Sequence, residues 1–149
     1  MRPLYESRQD VVNQEVIKNL LEARWRCTLV PAARNAAVDY YAVDAGGMIK
    51  GLVEIKCRTN HKNKYDTFLL SFHKILSAEA LSKNLNIPVL LVVGWTDEIG
   101  YTKLNPASTY NTKQGGRVDR NDPQDIHEVA LIPNDSFTFI AKRKDAEDV

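Results

Sequence analysis

The order of elements along the chain predicts an α/β (α+β) fold, a mixed central β-sheet flanked by helices. Three observations point to it. Apolar residues recur at helical spacing in two segments, residues 8–25 and 72–85. A β-rich hairpin over residues 38–57 is closed by a glycine turn. Residues 88–93, PVLLVV, are almost wholly apolar, as a strand covered on both faces must be. A length of 149 residues suits one core, so 1–149 is read as a single domain with an acidic C-terminal tail, DAEDV.

In the first helix, Val12, Val16, Ile17, Leu20, Leu21 and Ala23 supply the apolar spacing, and no Gly or Pro interrupts it. Ser7 is placed to cap it, with Asp10 at the capping-box position. A short strand over 27–30 stops at Pro31. Residues 38–43 and 48–57 form the hairpin around Asp44-Ala-Gly-Gly47, where glycine accepts positive φ cheaply. Residues 67–70 extend the loop that follows. Ser71 caps the second helix, whose expected buried side is Ile75, Leu76, Ala78, Ala80 and Leu81, and Asn86 closes it. After the apolar strand come a turn over 94–98 and a strand over 99–104. Residues 105–124 are rich in Asn, Gly, Pro and charge and read as a long exposed loop. Two last strands, 126–132 and 137–142, flank a turn at Pro133-Asn-Asp-Ser136.

Hydrophobic residues make up 44% of the chain and charged residues 26%, the balance of an ordinary globular protein. No apolar run is long enough to span a bilayer, and the N-terminus lacks a secretory apolar stretch. The expected location is the cytoplasm. Cys27 and Cys57 are too few for a disulfide scaffold, lack zinc-site spacing, and read as small buried apolar residues on strands. Formal net charge is only +1, but residues 56–64, KCRTNHKNK, hold four cations and no acid. Such a segment is either a solvated loop or a grip for phosphate on a nearly neutral protein.

The chemistry concentrates on the hairpin. Strand side chains alternate between faces, so Glu54 and Lys56 point one way while Val53, Ile55 and Cys57 point the other, into the core. Pairing through the glycine turn brings Asp39 beside Glu54. Two carboxylates at close range repel unless a cation sits between them. Oxygen donors suit Mg²⁺ or Mn²⁺ better than Zn²⁺. A hard cation there binds a phosphate oxygen and acidifies a bound water, with Lys56 positioned to orient that water or stabilise charge on phosphorus.

The segment VDYYAVDAGGMIKGLVEIKCR resembles the catalytic hairpin of the PD-(D/E)XK nuclease superfamily. Asp39 matches the motif aspartate, Glu54 the second acid and Lys56 the lysine; Val38 stands where the name has proline. Ile55 matches the variable position, whose backbone carbonyl often completes the metal shell in that family. The helix-first order and chain size are similar to small Holliday-junction resolvases and short phage nucleases, over roughly residues 7–94. The resemblance implies a restriction-endonuclease-like core and Mg²⁺-dependent (or Mn²⁺-dependent) cleavage of DNA, by an endonuclease rather than an exonuclease. Resolvase-like activity would favour a homodimer. The alternative is a non-catalytic nucleic-acid-binding module on the same fold.

Many members of that superfamily add a glutamate from the first helix to the metal. Glu15 is the choice here, although Lys18, Asn19 and Glu22 share its face; Asn13, Glu6 and Glu22 stay open. Arg58, Lys62, Lys64 and Lys74 are candidate contacts to the DNA backbone, and Tyr65 to an unpaired base. Lys74, in the first turn of the second helix, meets an unfavourable helix dipole unless an anion lies nearby. His73 is either a general base or an exposed histidine. Phe68 and Trp95 are assigned to packing. Residues 113–120, with Gly115-Gly116, are a DNA-contacting flap or an inert loop.

Overall fold

A computed structural model describes residues 8–116 and 126–143. The expected cap at Ser7, the alternative ligand Glu6 and the acidic tail lie outside them, as do the side chains of Asp10 and Val12. Helix α1 (Arg8–Trp25) leads into strand β1 (Thr28–Pro31), then the hairpin β2 (Tyr40–Val43) and β3 (Ile49–Cys57). Strand β4 (Thr67–Ser71) runs straight into α2 (Phe72–Leu85), followed by β5 (Val89–Gly94) and β6 (Glu98–Lys103). β7 (Asn111–Gly116), β8 (Ile126–Pro133) and β9 (Thr138–Lys142) complete the described elements.

Six strands form one mixed sheet in the order β1-β2-β3-β5-β6-β9. Only β3 and β5 in it are parallel; every other neighbouring pair is antiparallel. A parallel pair cannot be joined by a hairpin, and here the crossover runs through β4 and α2. α1 covers one face of the sheet, where Ile17 and Leu21 pack with Leu29, Val53, Ile55 and Val92. On the other face Leu91 and Val93 pack with Ile75 of α2 and with Phe68, Ala130 and Ile132 of a second sheet. The central pair is therefore buried on both sides, as the apolar run at 88–93 predicts.

Both helices end on a left-handed residue. Arg26 has φ 52 and lets the Cys27 N–H donate back to the Glu22 carbonyl. Asn86 has φ 54, and its own N–H and that of Ile87 donate to Ser82 O. In the β2–β3 turn, the Asp44 carboxylate accepts the N–H groups of Gly46 and Met48, both at 2.9 Å, while Gly47 takes φ 85. Turn and register are thereby fixed together.

Three expectations need correction. Residues 67–70 are not a loop extension: β4 belongs to a three-stranded sheet in the order β4-β8-β7. The segment read as a long loop contains β7, a strand without an apolar side chain that β8 recruits; residues 117–125 lie outside the described part. The two last strands are both present, β8 paired with β4 and β7 and β9 with β6. On the helices, Val16, Ala23, Leu76 and Ala80 are exposed rather than buried. Cys27, just before β1, and Cys57 are half-buried cysteines outside any disulfide, packed at the margin of the α1-side core. Among the described residues no helix is long and apolar enough to cross a membrane.

Candidate active site

Asp39 sits at the point where the β2–β3 ladder ends. Its N–H donates to Val53 O at 2.9 Å and its carbonyl accepts the Ala32 N–H at 2.8 Å. Two residues further along β3, at Ile55, the Asp39 carboxylate takes the place of a backbone acceptor: Ile55 N–H donates to Oδ2 at 2.7 Å. Because Tyr40 pairs with Val53, Asp39 falls opposite Glu54, and alternation puts the two side chains on one face. The hairpin thus delivers the acid pair read from the sequence.

Glu54 is 3% exposed. Its Oε2 lies 3.3 Å from the Lys56 ammonium, and its Oε1 lies 3.6 Å from that of Lys74. The second lysine reaches in from the first turn of α2 and also lies 3.5 Å from the Ala37 carbonyl. A buried anion accounts for a cation at a helix end that would otherwise repel it. Glu54 Oε1 still has no hydrogen-bond partner among the described residues. Burial pushes the Glu54 carboxyl above its ordinary range, and the Asp39 charge adds to this, while Lys56 and Lys74 pull the other way.

A raised carboxyl binds its proton more tightly in the folded chain than in the unfolded one. In metal-free buffer its contribution to stability is therefore fully present below the ordinary value of 4.5 and is lost as pH rises through the raised value. Glu54→Gln removes this loss. Wild type is expected to lose stability relative to Glu54→Gln as pH climbs from that ordinary value toward neutrality, with the gap closing again in acid. Denaturant titrations of both proteins in EDTA check this; a gap independent of pH would mean that Glu54 ionises freely.

The helix residue at the site is Gln14, not Glu15. Gln14 Nε2 lies 3.5 Å from Ile55 O, a long contact that leaves the carbonyl largely available. Glu15 is 60% exposed and pairs with Lys18 at 3.9 Å. The other described alternatives are also committed elsewhere: Glu22 Oε2 accepts the Leu29 N–H at 2.8 Å, and Asn13 Oδ1 meets Arg143 at 3.4 Å. The signal for Gln14 was in the phase. With Ile17 and Leu21 it stands at i, i+3 and i+7, on the buried stripe. A small cleft beside Asp39 is lined by Gln14, Arg34 and Tyr40.

The residues present fit a hard divalent cation. Asp39 and Glu54 lie side by side, Glu54 Oε1 is buried without a hydrogen-bond partner, and the Ile55 carbonyl adds a third oxygen. No group of three or more His, Cys, Asp or Glu side chains able to hold a metal is assembled among the described residues. The donor set is thus two carboxylates and a carbonyl, which suits an ion that retains several waters, as Mg²⁺ does.

The basic segment is less free than its sequence suggests. Arg58 lies 4.4 Å from the Phe68 ring centre and donates to Leu69 O at 3.3 Å. Lys62 pairs with Glu98 at 3.8 Å and lies 5.6 Å from the Trp95 ring centre. Lys64 and Tyr65 are exposed; His73 is exposed as well. Phe68 and Trp95 are buried, as assigned.

A family model described as "Phage putative PDDEXK endonuclease" matches residues 1–140. No curated protein matches the chain. Among solved structures, Hjc, a Holliday junction resolvase from Archaeoglobus fulgidus, superposes with a TM-score of 0.52 at 11% identity, covering 85% of this chain and 90% of that one. At that identity the likeness shows the fold, a restriction-endonuclease-like core. The family match spans the hairpin and both helices, and the chain belongs to this phage PDDEXK endonuclease family.

Proposed function

We propose that the protein is a metal-dependent endonuclease that hydrolyses phosphodiester bonds in DNA, with Asp39, Glu54 and Lys56 as its catalytic residues. The carrying observation is a carboxylate buried to 3% exposure beside a second acid, flanked by two ammonium groups. Such a cost in desolvation is hard to account for by stability, since buried ion pairs seldom contribute net stabilisation.

Asp39, Glu54 and the Ile55 carbonyl would hold Mg²⁺ or Mn²⁺. When bound, the ion polarises the scissile phosphate and lowers the pKa of a water. Asp39 is oriented by the Ile55 N–H on Oδ2, so its other oxygen is the one available to the ion. Lys56 is 35% exposed, which lets its ammonium meet an incoming phosphate oxygen and stabilise charge as the phosphorus becomes pentavalent. Lys74 lies against the inner oxygen of Glu54 and opposes the rise that burial and Asp39 impose on that carboxyl. Lys64, which is exposed, would contact the DNA backbone, and Arg58 would add positive potential beside it, while Lys62 is paired with Glu98.

The fold shared with a Holliday junction resolvase supports branched DNA as one substrate to test. Two such sites in a symmetric dimer would cut both strands of a junction. Linear duplex, branched and single-stranded DNA incubated with Mg²⁺, Mn²⁺ or EDTA test the reading. Cutting is expected with either metal and none in EDTA. If neither metal supports cutting of any substrate, the chain is a binding module on a nuclease fold.

A further inference from the structure

Arg58, two residues past Lys56 along the same strand direction and on the order of 7 Å from it, borders a second cleft of about 360 Å³. It lies between the basic loop and β4, with Arg58, Lys62, Tyr65, Phe68, Trp95 and Lys113 among its walls. Its volume falls in the range used by small-molecule sites. Phe68 and Trp95 form an apolar floor, edge to face with ring centres 6.3 Å apart. Arg58 and Lys62 lie against those rings, and Lys62 is neutralised by Glu98. Tyr65 stands at the rim, 58% exposed.

The loop that presents Tyr65 is fastened at several points. Thr96 N–H donates to Asn60 O at 3.1 Å, and Lys62 N–H donates to Asp97 Oδ1 at 3.0 Å. Asn134 holds the far end: its Nδ2 donates to the carbonyls of Lys62 and Tyr65, and its N–H to that of Asp66 at 3.0 Å. A large aromatic ring in solvent on a fixed backbone, beside an apolar-floored cleft with cations at its edge, has the form of a stacking platform. In a duplex both faces of each base are covered by its neighbours, so only an unpaired or extruded base offers a face to the ring.

We propose that this cleft is a nucleobase subsite, in which Tyr65 stacks on an unpaired base within one or two nucleotides of the scissile phosphate. Lys113 lines the cleft and the Lys64 ammonium lies 5.5 Å from the Tyr65 ring centre; both are exposed and would meet the flanking phosphates. The subsite rests on the nuclease reading for its place along the DNA strand, and it narrows the substrate to DNA with unpaired bases beside the cut: a flap, a gap or a junction.

The test pairs wild type and Tyr65→Ala with two DNAs in EDTA, a duplex bearing a short single-stranded flap and the same DNA with abasic sites in the flap. Tyr65→Ala is expected to weaken binding of the flap DNA about ten-fold, and the abasic flap to weaken wild-type binding by a similar factor. The two losses should not add, because each removes one partner of the same stack. Tyr65→Trp should retain the affinity. A 2-aminopurine in the flap should be quenched by wild type and not by Tyr65→Ala. Additive losses, or an equal loss on fully paired duplex, would assign the ring to loop structure and overturn the subsite. Since these readings need no cleavage, they stand apart from the metal assay: a protein that cuts nothing with Mg²⁺ or Mn²⁺ loses the nuclease reading, and one that cuts but fails the cycle loses only the subsite.

Discussion

Replacing Lys56 with alanine is expected to abolish DNA cleavage, a loss on the order of a thousand-fold or more, while DNA affinity in EDTA changes by only about two- to three-fold. The asymmetry follows from where the ammonium sits. It is half-buried, 3.3 Å from Glu54, and turned toward the surface where a phosphate would arrive. Its charge matters most as negative charge builds on the reacting phosphoryl oxygens, and least in the ground-state complex, where other cations share the backbone. The variant should fold, because Lys74 remains 3.6 Å from Glu54 and keeps the buried carboxylate partnered. Lys74→Ala should cost less in rate, about ten-fold, since its contact is with the inner oxygen of Glu54. Removing both lysines would leave a buried charge uncompensated, and that variant is expected to unfold easily. Single-turnover rates beside binding curves measure the split; Lys56→Ala cutting within ten-fold of wild type would remove this lysine from the chemistry.

Ile17→Ala carries the largest expected effect on stability. Ile17 is fully buried where α1 meets the sheet. The contact is close: a Cβ added at Gly94 would lie 2.6 Å from Ile17 Cδ1 and 2.8 Å from the Arg143 guanidinium, so β5 presents bare backbone to the helix there. Truncating such a side chain opens a cavity costing about 2–5 kcal/mol, which lowers the melting temperature by roughly 5–15 °C in a domain of this size. The catalytic acids stand on β2–β3 rather than on α1, whose link to the site is the long Gln14 contact. Cleavage by the folded variant, assayed well below its melting point, should therefore stay within about ten-fold of wild type. Thermal melts with parallel cleavage assays check both halves; an unchanged melting temperature would mean that α1 is not anchored through Ile17.

The parts legible in the sequence were those fixed by local periodicity. A period of two put Glu54 and Lys56 on one face, and a glycine turn set the register that brings Asp39 opposite Glu54. Helical spacing located α1 and α2. What stayed hidden depends on partners far along the chain. Asn111–Gly116 has no apolar side chain and reads as a loop, yet it becomes a strand because β8 offers it an edge. Lys74 carries a local mark, a cation at a positive helix end, but its partner is not local, since Glu54 lies across the parallel crossover. Glu15 stands one position from the residue that meets the site: it is exposed and pairs with Lys18, while Gln14 follows the phase of Ile17 and Leu21 inward, a residue type that a search for an acid passes over.

Asn134 also has a bearing on dynamics. It sits in the turn between β8, in the smaller sheet, and β9, at the margin of the larger one, and it grips the basic loop from there. For those grips to release, the 134–136 turn must open as well, so loop and turn form one cooperative opening unit rather than independently fraying segments. Amide protons whose exchange depends on this opening would then share a common free energy. A segment that looks from its composition like a solvated tether is instead as persistent as the strand ends that clasp it.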